Sequence, residues 1–204
     1  MARPKSLNRS SRAKLLTEAE KLFAARGFSS VKLRDIAVAS GLHHASIYHY
    51  FPGGKEQIYV DVMTASFHEH RRGLEEAVAT APSGVREPLY AVADWFTSHP
   101  PVDVARMALA DFPALHSAAA DELAELAYDS LRGPIAAALN AARDAPSEAL
   151  SITDPDQAAM ALVSLVQSVH SVPARYLPTL QARTELGRGF VDMLLDGWIR
   201  REQK

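Results

Sequence analysis

The chain has 204 residues, 48% of them apolar, with 22 Lys or Arg against 24 Asp or Glu and no cysteine. That length and apolar share allow a packed core in one large or two small domains, and the missing cysteine excludes disulfides, thiolate chemistry and cysteine zinc sites. No run of about 18 uncharged apolar residues and no basic-then-apolar leader occurs, so a soluble cytoplasmic protein without a membrane partner is expected.

Residues 1–8, with Arg3, Pro4, Lys5 and Asn8, read as a flexible basic arm. The most informative stretch runs from Leu33 to Glu56, LRDIAVASGLHHASIYHYFPGGKE. Leu33, Ile36 and Ala37 share one helical face, and the pattern stops at Ser40-Gly41, where glycine supplies a left-handed turn. Leu42 plugs the corner, and a second helix over Ala45 to Tyr50 turns Ile47 inward and His43, His44, Ser46, Tyr48 and His49 outward. A short helix that is polar and aromatic on its free side suits a recognition helix in the major groove. Charge agrees with this reading. Residues 1–60 carry ten Lys or Arg against four acids, a balance of +6, whereas the whole chain stands at −2, so the rest carries −8. Only a module that meets phosphates needs the basic half.

On these residues the segment 9–59 resembles the N-terminal domain of the TetR family of one-component transcriptional regulators. The resemblance lies in Leu15-Leu16 to Arg26-Gly27-Phe28, Arg34-Asp35-Ile36-Ala37, Gly41-Leu42, Ser46-Ile47-Tyr48-His49-Tyr50-Phe51 and Lys55-Glu56, five elements in the family's order over about a quarter of the chain. It implies a first helix from about Ser10 to Arg26 that packs Leu16, Ala19, Leu22 and Phe23 inward and ends at Gly27. It implies backbone phosphate contacts from Ser46, Tyr48 and His49, and from Lys55 at the start of a fourth helix, which position the protein without reading sequence. His43 and His44 open the recognition helix and are the candidates for base-edge or nearby phosphate contact, the alternative being a solvated helix start. Tyr50 and Phe51 read as core. The chain departs from the family pattern where Val31 or Lys32 replaces a capping Ser or Thr, a loss worth about 1 kcal/mol. There Asp35 offers partial compensation and Lys32 a phosphate contact. His43 likewise replaces a capping Ser, and Gly53-Gly54 lengthens the link to Lys55.

Beyond residue 55 the sequence keeps reading as helix. Residues 56–80 are amphipathic, with Ile58, Tyr59, Val62, Met63 and Phe67 inward, and further helices are predicted over 85–98, 102–116, 118–142, 154–172 and 182–202. Breaks are placed at Pro82-Ser83-Gly84, His99-Pro100-Pro101, Pro113, Gly133-Pro134, Asp144-Ala145-Pro146 and Pro173 to Pro178. No period-2 strand appears, so the chain is all-α: a three-helix helix-turn-helix domain over 1–55 and a larger helical effector-binding and dimerisation domain over 56–204. Tyr90, Trp95, Phe96, Met107, Phe112, His116, Tyr128 and His170 have the make-up of an effector pocket, although each also suits ordinary core. The stripes Ala158, Ala161, Leu162, Leu165, Val169, Val172 and Leu186, Phe190, Met193, Leu194, Trp198, Ile199 suit a homodimer, with Leu162, Leu165, Val169, Phe190, Leu194 and Trp198 at its interface, or packing within one chain. His68 and His70 face different sides of a helix, so no metal site is expected.

No phosphate-cradling glycine loop, HExxH pair or nucleophile elbow occurs, and neither an enzyme nor a cofactor is expected. The resemblance implies a ligand-responsive regulator, usually a repressor, that binds a palindromic double-stranded operator as a homodimer. A small hydrophobic effector between the fourth and eighth helices would shift the fourth helix and so the spacing of the recognition helices. The alternative is a helical small-molecule or protein-interaction module that no longer reads DNA.

Overall fold

The computed structural model describes residues 5–143, 150 and 152–198, with side chains from residue 10 to residue 197 within those ranges. It is all-α, with no strand among the described residues. The elements are α1 (Lys5–Ser30), α2 (Leu33–Ser40), α3 (His44–Tyr50), α4 (Gly54–Thr80), α5 (Arg86–Ser98), α6 (Val104–Arg106), α7 (Ser117–Arg143), α8 (Pro155–Gln167) and α9 (Leu180–Trp198). They fall into two compact units, residues 1–67 with 103–127 and residues 68–102 with 128–204. The module expected over 1–55 lies inside the first, which also takes the start of α4 and the 103–127 segment.

In the first unit Leu15, Ala19 and Phe23 recur at i, i+4 and are fully or nearly fully buried, so the innermost file of α1 starts one residue before Leu16. Leu16 and Leu22 are only half-buried. Ile36 and Ala37 of α2, Ile47 of α3, Phe51, and Ile58, Tyr59 and Val62 of α4 complete this core. The rings of Phe23, Phe28 and Tyr59 meet at its centre, each of the first two edge-on to Tyr59 at 5.0 Å between centroids. Phe51 is fully buried under the Arg12 guanidinium, which also pairs with Asp61 at 2.6 Å, while Tyr50 is half-buried.

The arm expected over residues 1–8 is corrected by the helix: α1 begins at Lys5, because nothing between Lys5 and Arg26 breaks a helix. Residues 1–4 lie outside the described residues. The helix predicted over 102–116 is also corrected. After the single turn of α6 the backbone widens into a π turn over Met107–Asp111 and tightens into a 3-10 turn over Phe112–Ala114. Pro113 cannot donate to the i−4 carbonyl and its ring crowds that turn, so the regular α ladder does not continue. At Gly133-Pro134 the opposite holds, and α7 runs through the expected break with Pro134 inside it. Buried Leu131, Ile135, Ala136 and Leu139 flank the proline, and their packing outweighs one missing hydrogen bond.

The second unit packs α5 on α9 and α8 on both. Its core draws Leu89, Val92 and Phe96 from α5, Ala159, Leu162 and Val166 from α8, and Val191 and Leu195 from α9. Arg188 grips Asp94 through two bonds of 2.9 and 2.5 Å, and Arg86 pairs with Asp192. Two residues assigned to a dimer interface are corrected here: Leu162 and Val169 have no exposed surface and serve the chain's own core. Leu165, Phe190 and Leu194 are half-buried and keep surface, and Met160 and Met193 are exposed. The Trp198 side chain, Ile199 and the break at residues 144–146 lie outside the described residues.

Candidate functional site

The helix-turn-helix is built locally. Gly41 takes φ 71°, ψ 26°, and the amides of Gly41 and Leu42 donate to the carbonyls of Val38 and Ala37 at 3.1 and 3.0 Å, which ends α2 and redirects the chain. Ser40 is buried, its hydroxyl donating to Ile36 at 2.7 Å. α3 then starts from His43 with no side-chain cap, and Ile47, fully buried, pins the helix to the core. Its other faces carry the residues singled out from the sequence: His43, His44, Tyr48 and His49 are exposed, Tyr48 by 50%, and Ser46 is half-buried. The rings of His44 and Tyr48 meet edge-on at 5.7 Å one turn apart, so each braces the other.

At the start of α2, Lys32 is exposed and has no side-chain cap. The Asp35 carboxylate accepts its amide at 3.0 Å and lies 3.4 Å from Arg26. The hydrogen bond from the Lys32 amide, aided by Arg26, holds the Asp35 carboxyl below its ordinary range. Asp35 thus supplies one half of a capping box that Lys32, having no acceptor, cannot complete.

Lys55 differs from expectation. Its ammonium donates to the Phe28 carbonyl at 2.9 Å and lies 3.9 Å over the Phe28 ring, rather than pointing outward toward a phosphate. Burial lowers its pKa, partly offset by the Asp111 charge. The carbonyls at the end of α1 lack helical donors, and Lys55 satisfies one of them. Two cations on this side of the unit went unassigned in the sequence. Arg34 is exposed on α2, and Lys14 lies beside the turn, where a Cβ on Gly41 would meet its Nζ at 3.7 Å. The only signal for Lys14 was a cation on the outward face of α1.

Beneath this surface lies a polar knot that the sequence did not announce. Asp111, 2% exposed, accepts the Phe28 amide at 2.8 Å and the Tyr59 hydroxyl at 3.2 Å, and Arg106 Nε stands 3.9 Å away. Arg106 in turn donates to the Phe23 carbonyl at 3.0 Å. Burial, and then the Asp111 charge, raise the Tyr59 pKa, which keeps its hydroxyl protonated and donating. Gly27, at φ 72°, ψ 167°, brings the chain end of α1 against this carboxylate, where a Cβ would stand 3.0 Å from Asp111 Oδ1. Asp111 and Phe28 are 83 residues apart, beyond any local pattern.

The eight residues read as an effector pocket divide between the units. Met107, Phe112 and His116 belong to the first, and Tyr90, Trp95, Phe96, Tyr128 and His170 to the second. His116 is corrected outright: its side chain is 89% exposed, and its Nδ1 and backbone amide bind Glu56 at 2.7 and 3.0 Å. Tyr128 is exposed too, with the Arg132 guanidinium 4.3 Å over its ring. Met107 is buried core, and the Tyr90 hydroxyl donates to Asp192 at 2.5 Å.

Trp95, Phe96 and His170 do come together. His170 Nε2 donates to the Phe96 carbonyl at 2.8 Å, and Phe96 stacks on buried His70. Trp95 stacks on His99 and donates from Nε1 to His70 Nδ1 at 3.2 Å. Burial, with His99 nearby, pushes the His70 pKa down to about 4. A base depressed in the folded state binds protons preferentially when unfolded, so this contribution is complete above about pH 6.5 and is lost as pH falls toward 4. Acidification across that window is expected to cost the protein about 2–3 kcal/mol through His70, and a urea series should show His70→Gln losing that part of the slope. Among the described residues no group of three or more His, Cys, Asp or Glu is placed to hold a metal, and no helix is long and apolar enough to cross a membrane.

Residues 15–62 match the family model described as bacterial regulatory proteins, tetR family. The uncharacterised HTH-type transcriptional regulator YxaF of Bacillus subtilis is 39% identical over 54 residues, 26% of this chain and 28% of that protein. The HTH-type transcriptional regulator LmrA of the same organism is 31% identical over 78 residues, 38% of this chain and 39% of its own. The chain thus matches well under half the length of these curated relatives. Among solved structures, the reduced form of Escherichia coli NemR aligns with TM-score 0.70 and 19% identity over 91% of this chain and 97% of its own, which shows a shared fold.

Proposed function

We propose that the chain, whose residues 15–62 match the tetR family of bacterial regulatory proteins, is a ligand-responsive DNA-binding transcriptional regulator, a repressor released from its operator by a small hydrophobic effector. The observation that carries this reading is α3, anchored by buried Ile47 and presenting His43, His44, Tyr48 and His49 to solvent. The first residues of such a helix enter the major groove, and Tyr48 and Ser46 bind phosphate beside it. Lys32, Lys14 and Arg34 add positive charge, while Lys55 acts indirectly by holding the end of α1. The operator is palindromic because the protein acts as a homodimer, with half-sites about one helical turn, or a multiple, apart. Leu165, Phe190 and Leu194, with exposed Met160 and Met193, supply apolar surface for that pairing.

The effector binds in the second unit, where Trp95, Phe96 and His170 converge. It switches the protein only through unequal affinity for the DNA-competent and released states, and a coupling of about 1–3 kcal/mol changes DNA affinity about 5- to 150-fold. The family is one of regulators, and no catalytic step is assigned.

The test is binding to DNA flanking the protein's own coding region and to a random-sequence selection, as a salt series, with a His44→Ala, Tyr48→Ala variant alongside. Both side chains are exposed, so the variant folds. Wild-type binding is expected to weaken steeply with salt, and the variant to bind at least about tenfold more weakly. No sequence-preferring binding in either pool, or binding that ignores both salt and the substitutions, would favour the module that no longer reads DNA. The inward turn of Lys55 and the uncapped start of α3 lean toward that second reading.

A further inference from the structure

Among the described residues of the second unit, the Ser130 hydroxyl, the Gln167 carboxamide and the Nε of Arg132 are buried without hydrogen-bond partners. Ser130 is fully buried on α7 and its hydroxyl meets no acceptor, and both polar atoms of the Gln167 carboxamide are shut from solvent and unpaired. Ser130 has a local remedy, since a helical serine hydroxyl reaches the carbonyl one turn back by a simple rotation. Gln167 has none of that kind. Its amide holds two donors and an acceptor, and burying all of them unpaired is among the costlier arrangements in a protein interior.

Its position adds to the case. Gln167 is the last residue of α8, and the next residue, Ser168, is exposed. Gln167 keeps some exposed surface, yet the two polar atoms of its carboxamide are the part shut from solvent. His170 stands one turn on, with its ring committed to the Phe96 carbonyl. Three arginines of this unit are paired with carboxylates, Arg86 with Asp192, Arg188 with Asp94 and Arg132 with Asp129 and Asp156, while Arg132 Nε is buried without a hydrogen-bond partner. The Gln167 carboxamide itself is neutral and offers a charged ligand no counter-charge.

We propose that the Gln167 carboxamide is the hydrogen-bonding subsite for an uncharged ligand that joins an apolar body to an adjacent donor and acceptor, as in a primary amide or lactam. Such a group pairs with a carboxamide through two parallel N–H···O bonds, satisfying both ends at once. The inference rests on the reading that the second unit takes an effector, and it narrows that effector's chemistry.

Thermal unfolding of the full chain tests it, with benzamide as probe, benzoate as its charged counterpart, and Gln167→Met as the apolar variant of similar shape. Free Gln167→Met is expected to melt about 2–4 °C above wild type, because an unpaired buried amide is removed. Millimolar benzamide should raise the melting temperature of wild type and leave the variant unmoved, and benzoate should raise neither. A variant that melts below wild type, a benzamide shift equal in both proteins, or no shift in wild type overturns the proposal. Gln167→Leu repeats the measurement should the methionine variant fail to fold. Operator binding separates the two readings. A Gln167-dependent benzamide shift with no change in DNA affinity keeps the subsite and removes the switching role, whereas an effector that releases DNA independently of Gln167 keeps the switch and removes the subsite.

Discussion

Asp111→Ala is expected to cost about 3–5 kcal/mol of stability, because it strips the partner from the Phe28 amide and the Tyr59 hydroxyl and leaves the Arg106 guanidinium beside them without its buried counter-charge. For a chain of this length that corresponds to a fall of roughly 10 °C or more in melting temperature, read by calorimetry or circular dichroism. Asp111→Asn keeps an acceptor for one of the two donors and should cost about half as much. On the proposed regulator reading, DNA affinity is expected to fall further than stability alone requires, since the end of α1 and the start of α4 are both tied to this carboxylate. A loss under about 1 kcal/mol in Asp111→Ala would show that Phe28 and Tyr59 find other partners, and the knot would then carry no weight in holding α1.

The contrast between Asp111 and α3 shows what the sequence could convey. Ile36, Ala37, Gly41 and Ile47 announce the helix-turn-helix because each choice is local: helical spacing, a left-handed turn, one inward anchor. Asp35, three residues on from Lys32, was legible as partial compensation through the helix dipole, whereas the bond its carboxylate accepts from the Lys32 amide is seen only in the structure. Lys55 and Asp111 act across 27 and 83 residues, and nothing in a local pattern says that a cation turns back to a carbonyl or that an acid is buried. The stripe containing Leu162 and Val169 failed differently. An apolar helical face carries the same residues whether its own chain or a second copy covers it, and here its own chain covers those two. The aromatic set that included His116 shared that weakness. Side-chain type described a pocket, while the backbone path of 103–127 placed His116 at the surface against Glu56. Pro134 was read as a break because a proline costs a helix about 3 kcal/mol, a penalty that the buried flanks of α7 exceed.

Gly73 offers the sharpest test of the second unit, because its expected sign reverses with a single neighbour. It sits in the middle of α4, where alanine is ordinarily favoured by about 1 kcal/mol. A Cβ there would lie 2.1 Å from Cη2 and Cζ2 of Trp95, too close for any contact, so Gly73→Ala must displace the indole. Displacement breaks the bond from Trp95 to His70 and the stack on His99, and the net expectation is a loss of about 1–3 kcal/mol. In a Trp95→Ala background the obstruction is gone, and the same substitution should stabilise the protein by up to about 1 kcal/mol. A urea-denaturation double-mutant cycle measures the difference as a coupling between two residues 22 positions apart, independent of what either does alone. Stabilisation by Gly73→Ala in the wild-type background would mean that the indole does not lie over α4, and the ring cluster around His70 would lose its support. Because Trp95 donates only to neutral His70, the same substitution should also shift the acid-sensitive window upward from pH 4, toward the value of an ordinary histidine.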